Sequence, residues 1–141
     1  MDNTSIIDEY LKKPYWIIDI LPKQVPASNG SQYFKVEKYF LSHPQIEDLC
    51  RKFTKVLIKL SCYEDMEIVF PTDDHSPNPI PDIVEQIVYE RKPFYVVIKS
   101  ADAMIGYEGD EHYMTLYNAN EELLELVKLL AISEGLFLWQ P

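Results

Sequence analysis

Apolar positions recur along the chain at two spacings, and the switches between them outline the elements. Ile46, Leu49, Cys50, Phe53, Val56, Leu57 and Leu60 return every three or four residues. That is one continuous helical stripe, and it predicts a long helix over 43–61. Ser42 and Gln45 read as its capping box, with Pro44 in the first turn, where its missing N–H costs nothing. Leu123, Leu124, Leu126, Val127, Leu129, Leu130 and Ala131 give a second helix, 119–134, whose wide apolar side suits burial on a sheet. Asn118 with Glu121 is its expected cap, and Gly135 its left-handed stop.

Weaker helical spacing predicts helices over 4–13 (Ile6, Ile7, Tyr10, Leu11), 32–41 (Tyr33, Val36, Phe40, Leu41) and 82–91 (Ile83, Val84, Ile87, Val88). Runs rich in β-branched and aromatic residues predict strands at 15–21, 66–70, 94–99, 103–107, 112–117 and 136–139. Asp19 interrupts the first of these runs. Pro22 and Pro71 end two of them, and residues 26–31 and the proline-rich stretch 72–81 read as loops. Glu108-Gly109-Asp110-Glu111 joins 103–107 to 112–117 as a hairpin, so the third to fifth strands form an antiparallel meander. The expected fold is therefore α+β: one domain over 1–141, with helices on a short mixed or mainly antiparallel sheet of about five to six strands. The 141 residues suffice for a real core, and 47% hydrophobic residues is ordinary for a globular protein.

Charge changes this picture. The net charge is -10, but it is unevenly spread. Residues 1–62 carry nine Lys/Arg against seven Asp/Glu, whereas residues 63–141 carry four against sixteen. The acids gather at 64–67, 73–74, 108–111 and 121–125. Nucleic acid and anionic membrane attract basic surfaces, so neither is expected as a partner. No basic, apolar leader opens the chain and no apolar run spans a bilayer, which leads us to expect a cytoplasmic protein. Arg51, Lys52, Lys55 and Lys59 give helix 43–61 a basic outer face that can pair with acids of the same chain or of a sister subunit in a homo-oligomer.

Candidate chemistry is sparse. Cys50 and Cys62, twelve residues apart on, or at the end of, one helix, would stand about 18 Å apart, beyond disulfide reach, and are expected as core thiols. Asp73-Asp74-His75 and Asp110-Glu111-His112 lack any established metal spacing, so no metal is assigned. His43, His75 and His112 come without a recognisable nucleophile motif, and the four glycines form no phosphate-binding loop, so no cofactor is assigned. An alternative reading retains a small enzyme or metal-dependent hydrolase built from the loops at 73–75 and 108–112.

Ten tyrosines carry the leading expectation, because tyrosine joins apolar area to a hydrogen-bonding tip. With Met114 and Leu116 facing inward, Tyr113 and Tyr117 face out beside the hairpin acids. Tyr107, Glu108, Asp110, Glu111, Tyr113 and Tyr117 are therefore the candidate binding surface for a basic protein partner. Small acidic inhibitors of basic toxins share this size and charge, an analogy that rests on no matched residue.

Overall fold

A computed structural model describes residues 2–72, 75–77 and 81–141. The chain is α+β. Its helices are α1 (Asn3–Leu11), α2 (Gly30–Phe40), α3 (Gln45–Leu60), α4 (Pro81–Glu90) and α5 (Glu121–Ser133). Its strands are β1 (Tyr15–Asp19), β2 (Met66–Val69), β3 (His75–Pro77), β4 (Phe94–Ile98), β5 (Ala103–Tyr107), β6 (Tyr113–Tyr117) and β7 (Phe137–Trp139). They form one sheet in the order β3-β2-β4-β5-β6-β1-β7, and every neighbouring pair is antiparallel. The meander expected from the sequence is β4-β5-β6. The strand beyond the expected number is β3, inside the stretch read as loop, where the backbone of 75–77 pairs with β2.

Alternation along each strand divides the side chains between two faces. On one face Ile18, Ile68, Phe94, Val96, Ile98, Ile105, Met114 and Leu116 pack under the apolar stripes of α3, α4 and α5. All eight expected or neighbouring stripe residues of α3, from Ile46 to Leu60 and including Thr54, are buried. On the other face α1 lays Ile7 over Val69, Tyr95, Val97 and Met104, covering only the β2-β4-β5 side. Asn3 fixes the start of α1 by donating from Nδ2 to the carbonyls of Phe70 and Thr72, at 3.3 and 2.8 Å. Tyr10 fixes its end by donating to Asp102 Oδ1 at 2.9 Å.

Several boundaries and contacts differ from expectation for local reasons. Ser42 belongs to the turn that closes α2, donating its hydroxyl to Lys38 O, so no capping box forms and Pro44 takes the N-cap position of α3 without a side-chain cap. Asn120, not Asn118, caps α5, its side chain accepting from Leu123 N at 2.8 Å. Asn118 sits two residues earlier at φ 61 and donates to Asp102 O instead. Cys50 is a buried core thiol as expected, but Cys62 is exposed, because it lies past the last turn of α3 where the stripe has ended. Among the cations of α3, Arg51 and Lys52 pair with Asp48 on the same helix, and Lys59 pairs with Glu134 at 3.0 Å. Much of the basic face is thus engaged within its own chain. Among the described residues no helix is long and apolar enough to cross a membrane.

Candidate functional site: an aromatic basin over a buried Asp-His pair

Because α1 covers only one side of its face, the strands β6, β1 and β7 are left open on that face. The segment between β1 and α2 rises beside them as a wall, and the result is a concave basin of about 550 Å³. That size lies within the range of ligand clefts. Antiparallel register sets the floor. Tyr15 lies opposite Tyr117, Ile17 opposite Thr115 and Trp139, and Asp19 opposite Tyr113. Tyr15 and Tyr117 stand with ring centroids 6.2 Å apart, and Tyr33 from α2 adds a fifth aromatic ring to the lining, beside Tyr113 and Trp139. Lys23 is the one cation that lines the basin among the described residues.

At the end of the floor lies the polar centre of the molecule. Asp19 is 2% exposed and His112 1%, and both are surrounded by hydrogen-bonding groups. Asp19 Oδ1 accepts from His112 Nδ1 at 2.8 Å and from Ile20 N at 2.7 Å, while Oδ2 accepts from Trp139 Nε1 at 3.3 Å. On the far side of the imidazole, Nε2 meets Tyr33 Oη at 2.5 Å and Glu37 Oε2 at 3.5 Å. A buried charge persists only where it is paired and its hydrogen bonds are met, and this carboxylate meets both conditions. Burial alone would depress the basicity of His112, but the Asp19 hydrogen bond and the charges of Asp19 and Glu37 outweigh it and raise its pKa above the ordinary value.

The acids of this end also act on the phenols. Burial first, then Glu37, Asp19 and Glu111, push Tyr33 up to about 12. Burial, a Glu111 hydrogen bond and its charge likewise raise Tyr113, and Tyr117 is raised by burial with Glu108 and Glu111. Glu111 is itself raised, by burial and then by Asp110 and Glu108, against the Tyr113 hydrogen bond. With raised pKa values these phenols keep their protons near neutral pH and can donate hydrogen bonds. The hydrogen-bonded series Asp19-His112-Tyr33 resembles the arrangement of a hydrolytic triad, with a phenol where the nucleophile's hydroxyl would stand.

Of the candidate surface, the fold brings Tyr113 and Tyr117 into the basin, with half-buried Glu111 beside them. Glu108 accepts from Tyr95 OH at 3.0 Å, and Asp110 is exposed at the hairpin tip. Tyr107 does not belong with them. It is the third inward residue of β5 after Ala103 and Ile105, 3% exposed, and it donates to Val88 O at 2.9 Å in the opposite core. Gly109 shapes the turn at φ 86, where an added Cβ would lie 2.1 Å from the Arg91 carbonyl oxygen. Of the alternative site, Asp73 and Asp74, and the side chain of His75, lie outside the described residues. Among the described residues no three His, Cys, Asp or Glu side chains are grouped to hold a metal ion.

Asp19, Tyr33, Tyr15 and Trp139 were not among the sequence candidates, and His112 was one only within the alternative reading of the 108–112 loop. Asp19 did leave a signal, as the lone acid in an otherwise apolar strand. Comparison with protein-family models, with curated proteins and with solved structures finds no match for this chain.

Proposed function

We propose that the chain is a non-enzymatic cytoplasmic protein that binds a basic protein partner, seating a cationic side chain of that partner in the aromatic basin. One observation carries the reading: five aromatic rings and Asp19 line an open basin, and Glu37 and Glu111 stand with Asp19 around the buried His112 behind that lining. Even with His112 charged, the three carboxylates leave this group negative. Aromatic faces attract cations, most strongly where water is partly excluded, and carboxylates behind the rings add to the attraction. The acids of the hairpin, Glu108 and Asp110, extend the same field outside the basin and would speed the encounter.

The test uses a tetra-arginine peptide as the probe, titrated into the full chain at low and high salt. Binding should weaken as salt rises, because exposed charges are screened. Asp110→Lys combined with Glu111→Lys should weaken it at least tenfold at low salt. Binding indifferent to both the salt and the charge reversal would sink the proposal.

A further inference from the structure

We propose that Tyr33 is the hydrogen-bond donor of the basin, so that a basic guest enters with a peptide carbonyl on Tyr33 Oη, and that charged His112 makes this donor available. The inference rests on the reading above and concerns how the guest is held. Its basis is which atom can supply which proton. Asp19 Oδ1 faces Nδ1 of His112, and the Glu37 carboxylate together with Tyr33 Oη faces Nε2. An imidazole with a carboxylate at each nitrogen is held in the form that carries both protons. Nε2–H then donates to Tyr33 Oη. The phenol has one proton of its own, and it cannot go back to a nitrogen that is already protonated. His112 is the one hydrogen-bond partner of the Tyr33 side chain among the described residues, and Tyr33 lines the basin. The remaining proton is therefore free for a guest.

The nature of the acceptor follows from the surroundings. Asp19 on β1, Tyr33 and Glu37 on α2, Tyr113 on β6 with its ring centroid 5.2 Å from the imidazole, and Glu111 beside it are the titratable groups around His112; the Trp139 indole on β7 reaches it through Asp19. Three of these are carboxylates, which repel an anionic acceptor. A neutral carbonyl meets no such repulsion, and a basic peptide offers one beside every cationic side chain. When His112 loses its proton, Nε2 becomes an acceptor and takes the Tyr33 hydrogen back from the basin. Charge attraction by the rings and acids would grow, since one cation is lost beside them, and the carbonyl hydrogen bond would be lost.

Two probes of equal charge separate these contributions. Acetyl-Arg-Arg-amide carries carbonyls; hexamethonium carries two quaternary ammonium groups and no acceptor. Neither changes charge between pH 5.5 and 9. Calorimetric titration into the full chain should show Tyr33→Phe weakening the peptide about five- to tenfold at pH 5.5, the range of one hydrogen bond. Hexamethonium should change by less than about twofold, which also shows that the variant retains its basin. Relative to hexamethonium, which reports the change in His112 charge alone, the peptide should lose the same factor in the unaltered chain as pH rises through the titration of His112, followed by its imidazole proton resonances, while in Tyr33→Phe the ratio of the two affinities stays constant. Peptide affinity equal in Tyr33→Phe and the unaltered chain, with hexamethonium still bound, overturns the assignment of Tyr33 and leaves the basin reading standing. Failure of both probes to bind the unaltered chain overturns that reading, and this inference with it.

Discussion

The two faces of the sheet are built from alternate residues of the same strands, yet they differ in almost every physical respect. Under α3, α4 and α5 the side chains are apolar and sealed: Ile18, Phe94, Ile98, Met114 and Leu116 are all fully buried. One residue along, Asp19, Tyr113, Thr115 and Tyr117 make the polar and aromatic floor of an open basin. The first face needs only volume and shape from its residues. The second holds a carboxylate and an imidazole out of water, which is costly unless every hydrogen bond is met. A protein gains little stability from such an arrangement compared with an apolar one. Under the proposed function, its position beside the basin would set that cost against binding.

The sharpest way to break the comparison is to damage the sealed face. Phe53 is 1% exposed and packs edge-on to Tyr107, with ring centroids 6.1 Å apart. Phe53→Ala should lower unfolding stability by about 3–5 kcal/mol, measured by urea denaturation, through lost transfer energy and a residual cavity. Hexamethonium affinity of the fraction still folded should be unchanged. A parallel fall in affinity would mean that the two faces are not separable.

Asp19→Asn acts on the other face. The amide keeps the shape but removes the charge that faces His112, and should cost about 2–3 kcal/mol near neutral pH. Its pH signature distinguishes it from a packing defect. His112 has a raised folded-state pKa, so its contribution is fully present below about 6.5, the unfolded value, and is lost as pH rises through the folded value. The unaltered chain should therefore lose stability across that window. In Asp19→Asn, where the charge that raises His112 most is gone, this loss should flatten. An unchanged slope would show that the Asp19-His112 pair does not carry the pH dependence.

The sealed face was legible in the sequence because burial there leaves a periodic trace. The α3 stripe from Ile46 to Leu60, the wide side of α5 and the inward pair Met114 and Leu116 are all patterns of spacing. The basin was legible only where it shares such a pattern, at Tyr113 and Tyr117. Its other members come together through pairing of distant segments. Asp19 and His112 are 93 residues apart, Tyr33 and His112 79, and Trp139 and Asp19 120. No local spacing encodes such contacts. The placing of Tyr107 failed for a related reason. Gly109 and the turn it forms separate β5 from β6, so Tyr107 and Tyr113 follow different alternations and face opposite sides. Of the hairpin acids, Glu111 lies beside Tyr113 of the basin, while Glu108 accepts from Tyr95 and Asp110 stands exposed at the tip.

The smallest expected effect is the finest test of that alternation. Thr115 and Leu116 are sequence neighbours on β6, one on the basin floor and one fully buried under the helices. Leu116→Ala should cost about 2–5 kcal/mol, as a large-to-small change in a close-packed core. Thr115→Val keeps the side-chain shape and the β-branch favoured in strands, and removes only a hydroxyl on the open floor, near enough to Tyr117 to act on its phenol. It should change unfolding stability by less than about 1 kcal/mol, within the range of one solvent-accessible hydrogen bond. Two adjacent residues with similar costs would mean that the half-buried floor is packed like the core. A severalfold difference between them, read from the same denaturation curves, is what a sealed face and an open face on one strand require.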